Sequence, residues 1–306
     1  MVVAMLRSLL PNRLHLAAFL AVLVVGTAIS AQAETVDTAL LWHLDPSGAT
    51  EPSYLLGTMH VSDPRVLDVP QPVLDALDQS HTAVFELITD GKVTASLASA
   101  MMISDGRTLE DIVGVELFSR VKNTAQPYGF IPSVLKMFKP WAVFTILSSP
   151  VDEVFRQARG QPSLDQWLQD RALSSGKTLL ALETFEEQLA VFEGISEADQ
   201  ISILREVVDY KAEIDQQYER MLQSYVARDL QTLYEEAKAE DIGDQGLADR
   251  FNQHVLLGRN DIMAERMLPL VTQGGFFVAV GAAHLPGDNG LLEQMRAQGF
   301  TVTPIY

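Results

Sequence analysis

The chain has 306 residues, 47% of them hydrophobic, with 22 basic and 40 acidic side chains, a formal charge of −18 and no cysteine. Apolar content of that order excludes a disordered chain, and the acidity argues against a nucleic-acid partner, which needs a basic face. Without cysteine there are no disulfides, no lipidated cysteine and no thiolate metal site, so any metal must be held by histidine and carboxylate.

Residues 1–33 have the layout of a secretory signal peptide. Arg7 and Arg13 flank the start of the apolar run "LHLAAFLAVLVVGTAI", and Ala31-Gln32-Ala33 is an A-x-A cleavage pattern that makes Glu34 the first mature residue. The run falls short of the roughly 20 apolar residues that span a bilayer. Cleavage removes two arginines and no acid, leaving 20 basic and 40 acidic residues, a charge of −20. The expected product is exported, periplasmic or secreted, with no stable membrane anchor after cleavage.

The mature chain suits one large α/β domain, or a domain with an insertion. Its first elements read as a hairpin: Ala39–Leu44 and Ser53–Leu56 are strand-like, and Asp45-Pro46-Ser47-Gly48 supplies the turn. The second strand ends in Gly57-Thr58-Met59-His60. A loop with Pro64 and Pro70 follows, then a short helix in "QPVLDALDQS", then the buried-strand run "TAVFELI" with Glu86 near its end. "LASAMMISDGRTLEDIVGVELFSRVKNTAQPYGF" is mainly helical. "SLDQWLQDRALSSGK" is an amphipathic helix capped by Ser163 and stopped at Gly176, and Thr178–Glu183 is a short strand. From Glu186 to about Leu270 the pattern is long, charge-laced helices.

The end of the chain repeats the beginning. "GGFFVAV" is a strand that ends in Gly281-Ala282-Ala283-His284. A loop, the helix "LLEQMRAQ", a stop at Gly299 and a last strand in "FTVTPIY" follow. Two β-loop-α-β units with Gly-x-x-His in the same place suggest an internal duplication, and strand–helix–strand order implies parallel pairing. The expected fold is an α/β sheet core, built from these two units, with a mainly helical insertion over about 98–270.

Ligand sites in such sheets gather at the carboxyl ends of parallel strands. His60, Glu86, Glu183 and His284 all fall there. Two imidazoles and a carboxylate suit a divalent metal of the Mn, Co or Zn type with an open position. That makes His60, Glu86 and His284 candidate metal ligands. Glu86 and Glu183 are candidate proton carriers, and Arg259 in "LLGRNDIM" could offset developing negative charge. Each has a plainer reading. Glu183 could cap the helix that starts near Phe185. Arg259 could be an ion-pair residue on a helix surface. Asp165 reads as first-turn dipole compensation, and His43, His81 and His254 as structural or exposed.

The ordered set "LLWHLDPSGATEPSYLLGTMH", "VFEL", "SLDQWLQDRALSSGKTLLALETFEEQLAVF", "GRND" and "VAVGAAHLPGDNGLLEQMRAQGFTV" resembles the TraB/GumN family, sometimes grouped with the Tiki proteases. The resemblance covers most of residues 34–306. It implies an α/β fold related to the erythromycin-esterase and ChaN-like proteins and, for the Tiki branch, a protease dependent on manganese or cobalt-type ions. His60 and His284 match the motif histidines, Glu86 the glutamate after the first, and Glu183, Gln188, Arg259 and Asn260 further family positions. The expected function is an exported metal-dependent hydrolase acting on an amide bond in a peptide or small-molecule substrate. The alternatives are a non-catalytic binder of haem or another small ligand, and a metal-free hydrolase in which His60 is the base.

Overall fold

Apolar runs flanked by turn chemistry build a six-stranded mixed sheet in the order β4-β3-β5-β2-β1-β6. This is a computed structural model that describes residues 38–46, 51–238 and 245–306. The expected signal peptide and part of the first hairpin turn, at residues 47 and 48, lie outside the described residues. β1 (Leu41–Asp45) and β2 (Ser53–Thr58) form the expected antiparallel hairpin, with Leu41 opposite Leu56. β3 (Thr82–Phe85), β4 (Thr178–Ala181), β5 (Phe276–Gly281) and β2 form a parallel block. β6 (Thr301–Pro304) closes the far edge against β1, antiparallel.

β2 is buried at every position, and β3 likewise. Near-continuous apolar runs of this kind belong at the centre of a parallel sheet covered on both faces. That preference decides the topology, which differs from the expected pairing within each β-loop-α-β unit. β5 lies between β2 and β3, and β2 and β1 lie between β5 and β6. The strands that pair are the two Gly-x-x-His strands themselves, with Gly57 opposite Val280 and Thr58 opposite Gly281.

Between β3 and β5 the described residues from Gly91 to Val271 are mainly helical, with β4 among them. It carries a second apolar core, around Leu109, Phe118, Val121, Trp141, Phe144 and Leu204, distinct from the core on the sheet. Local rules set the helices that matter for the site. Ser163 caps Leu164–Ser174 by accepting from the Gln166 amide, and Gly176 at φ 75° follows its end. Thr184 and Glu187 form a capping box that starts Phe185–Glu193 just past Glu183. A π-helical turn, Gln253–Leu257, leads into Gly258–Val271, and such turns often mark functional positions.

Candidate functional site

Because β2 and β5 are parallel neighbours, their Gly-x-x-His segments leave the sheet side by side. Glu86 directly follows β3, the next strand over, and Glu183 stands two residues beyond β4. Backbone pairing continues past the strands, since the Glu183 amide donates to the Glu86 carbonyl at 2.8 Å. Four chain segments thus deliver four polar side chains to one end of the sheet.

The geometry centres on Glu86. Its Oε1 lies 3.9 Å from His60 Nε2 and 3.8 Å from His284 Nε2, and accepts from the Gly281 amide at 2.5 Å. Its Oε2 accepts from Arg259 Nη2, also at 2.5 Å. Arg259 comes from the first turn after the π-helical segment. Its Nε and Nη2 donate to the two oxygens of Glu183 at 2.9 and 2.5 Å, and its Nη1 donates to His284 Nε2 at 3.3 Å. Gln188 donates to Glu183 at 3.1 Å. One guanidinium therefore bridges two buried carboxylates, which otherwise would be prohibitively costly to hold ionised.

Each imidazole is oriented through its other nitrogen. His284 Nδ1 pairs with Asn260 Oδ1 at 2.6 Å, which fixes the tautomer and leaves the Nε2 lone pair facing Arg259 and Glu86. His60 Nδ1 pairs with Asp165 Oδ2 at 2.7 Å, and Asp165 Oδ1 also accepts from Thr58 Oγ1 at 2.6 Å. Anchoring of one ring nitrogen by a carboxylate or amide oxygen is the usual support for a metal-ligating histidine. Gly281 matters at close range. A Cβ there would stand 3.2 Å from Glu86 Oε1, 3.4 Å from His284 Cδ2 and 3.6 Å from His60 Nε2, so its place is the point on which all three side chains converge.

The electrostatics differ from group to group. Asp165 beside it pushes the His60 pKa up to about 9. Burial pushes His284 down to about 4, with Glu86 opposing and Arg259 adding to the shift. Burial alone would raise Glu86. The imidazoles, Arg259 and the Gly281 amide outweigh it and hold the carboxyl well below the usual range. The side chain of His60 is 58% exposed, whereas Glu86 and His284 are 6% exposed, so the site opens at His60.

The donor set suits a divalent ion: two imidazole nitrogens, one carboxylate oxygen and no thiolate. Donors that share a metal at about 2.1 Å stand roughly 3.0–3.5 Å apart. The two nitrogen–oxygen separations, 3.8 and 3.9 Å, are wider than that. As placed, no group of three or more His, Asp or Glu among the described residues is close enough to hold a metal.

The model of the TraB/PrgY/gumN family matches residues 40–304. The chain belongs to that family. Curated relatives include the proteins called Metalloprotease TIKI1 of Xenopus tropicalis, 24% identical over 300 residues, and of Homo sapiens, 25% identical over 300 residues. Each match covers 82% of this chain and 59% of the relative, so the chain spans about three-fifths of the length of these proteins. The protein YbaP of Shigella flexneri is 21% identical over 247 residues, covering 80% of this chain and 88% of that one. No solved structure matches the chain.

In this member of the TraB/PrgY/gumN family, the structure brings His60, Glu86, Glu183, Arg259 and His284 into one connected cluster. Glu183 is not the helix cap, because Thr184 takes that place. Arg259 is an ion-pair residue, but an inward one. Asp165 is the residue that sequence reasoning passed over. Its place in the first turn after Ser163 explains it without reference to His60, and only the tertiary approach of that helix to β2 reveals the second role. His81 bonds Thr82 and the Gly274 carbonyl at the other end of β3, away from the cluster.

Proposed function

We propose that the protein is an exported, metal-dependent hydrolase of peptide-like amide bonds. The observation that supports this most is the approach of His60 Nε2 and His284 Nε2 to one oxygen of Glu86, each ring anchored behind by Asp165 or Asn260. Relatives named metalloproteases agree with it. His60, Glu86 and His284 would hold a divalent ion of the Mn, Co or Zn type, which supplies Lewis acidity at a scissile carbonyl. Asp165 and Asn260 keep both Nε2 atoms turned inward. Glu183 holds Arg259 beside the donor set, where its guanidinium would offset negative charge on the carbonyl oxygen. Proton transfer falls to Glu86 or Glu183, the two carboxylates that Arg259 holds at the strand ends. The signal-peptide layout of residues 1–33 supports export.

Calorimetric titration with manganese, cobalt and zinc tests the reading, together with chelator-sensitive cleavage of a mixed peptide library. His60→Ala and His284→Ala should each lower metal affinity and cleavage together. Absence of any divalent binding by the wild type at millimolar concentration would sink it. A metal-free hydrolase is the second reading, favoured by the His60–Asp165 pair at the exposed mouth of the site. Cleavage that persists in chelator would select that one.

A further inference from the structure

A second concave site lies away from the strand ends. A pocket of about 160 Å³ opens where the segment after His60, the end of helix Lys211–Ala227 and the last residue of the chain meet. Leu40, Leu56, Val66, Val73, Leu164 and Tyr225 form its floor, and all six are buried. The volume is close to the roughly 150 Å³ of an apolar protein cavity that admits benzene. It therefore has room for a branched four-carbon side chain or a single ring.

The rim is polar in a particular way. Arg65 is there, but Asp63 and Glu219 already engage it. Asp68 and Arg228 are also there, and neither forms an ion pair with any described residue. The Arg228 guanidinium lies over the Tyr306 ring, 4.5 Å from its centroid. In a chain of charge −18, no carboxylate of a described residue pairs with it. Its backbone sharpens the point. Arg228 has φ 62°, the one positive φ among the described residues that are not glycine. It caps a helix where glycine is the cheaper residue, and a left-handed non-glycine residue costs on the order of 1 kcal/mol.

An apolar cup with, at its rim, one carboxylate and one guanidinium that no described residue engages in an ion pair matches a zwitterion with an apolar tail. We propose that the pocket binds a free apolar α-amino acid, with its side chain in the floor, its carboxylate on Arg228 and its ammonium on Asp68. A residue inside a peptide carries neither head-group charge and would leave both rim groups unmatched. The pocket shares no lining residue with the strand-end cluster, and leucine binding neither requires nor excludes a metal there.

Calorimetry on the full-length protein tests the assignment with L-leucine and two truncated forms of it. These are 4-methylpentanoate, which lacks the amine, and 3-methylbutylamine, which lacks the carboxylate. L-leucine should bind with a Kd at or below about 1 mM. Each truncated form should bind at least tenfold more weakly. Arg228→Gln should weaken leucine at least tenfold and leave the amine unaffected, and Asp68→Asn should weaken leucine and leave 4-methylpentanoate unaffected. Arg228→Gly separates binding from architecture: relief of the left-handed strain should raise the melting temperature while leucine binding is lost. Failure of leucine to bind the wild type at about 10 mM, leucine binding that survives in Arg228→Gly, or 4-methylpentanoate binding as tightly as leucine would each overturn the proposal.

Discussion

Arg259→Gln removes the one cation that Glu86 and Glu183 share. Their side chains are 6% and 2% exposed, and Arg259 itself is 15% exposed, so solvent cannot replace the lost partner. Breaking a buried pair from one side leaves an uncompensated charge and costs about 3–5 kcal/mol. At about 2–4 °C per kcal/mol for a domain of this size, the melting temperature should fall by roughly 6–20 °C. Urea denaturation at pH 7 with chelator present measures the loss directly. Acid gives an internal check. In the wild type, Glu86 is held well below the usual range. Its stabilising share is present above the unfolded value, near 4.3, and is lost as pH falls through the lower folded value. In the variant, burial without the arginine pushes the Glu86 carboxyl up from its wild-type value, so the variant gains relative to the wild type as pH falls. The gap should narrow between about pH 7 and pH 4. Adding Glu183→Gln to the variant removes one orphaned charge and should restore about 1–2 kcal/mol. A loss under about 1 kcal/mol, or one that does not change with pH, would show that the two carboxylates are not held by Arg259 in the way described.

The two motif glycines should separate on substitution. Gly57→Ala puts a Cβ 3.0 Å from the Ala282 backbone and should cost about 1–3 kcal/mol in denaturant unfolding. Gly281→Ala meets only side chains, Glu86 Oε1 nearest at 3.2 Å, and should cost about 1 kcal/mol or less while lowering cobalt affinity by calorimetry at least tenfold. Asp165→Asn should reduce cobalt affinity about 10–100-fold with little change in melting temperature, because it supports His60 from behind. Glu153 is buried and accepts from the Ser62 amide at 2.6 Å, two residues past His60, and from Arg156 and Gln157. Glu153→Ala leaves these donors unmatched and should cost about 1–3 kcal/mol, with faster amide exchange at Ser62 as its local signature.

Much of this site could be read from the chain because its residues interrupt strong local patterns. His60 and His284 follow glycines at the ends of apolar strands, and Glu86 ends a run that is otherwise wholly buried. Such interruptions are costly in a sheet core and so point to a role. The partner choice of the strands was not legible. Strand–helix–strand order describes connection, and the placing of β5 between β2 and β3 depends on which apolar runs are most fully covered. Asp165 was obscured for a similar reason. It sits in the first turn of a helix, where a polar residue has a sufficient local explanation, and its bond to His60 spans 105 residues. Arg259 was legible as a candidate for offsetting negative charge, with a surface ion pair as the plainer reading, and its pairing with both Glu86 and Glu183 emerges only from the tertiary fold.

The two separate apolar cores have a consequence for how the molecule opens. A cluster of buried residues that closes on itself can loosen without the other, as a cooperative unit of its own. His60, Glu86 and His284 all come from segments that extend the sheet strands, so the donor triangle should persist when the helical body loosens. Amide exchange in Leu109–Ala125 and Glu197–Asp209 should therefore show a shared opening free energy lower than that of β2 and β5.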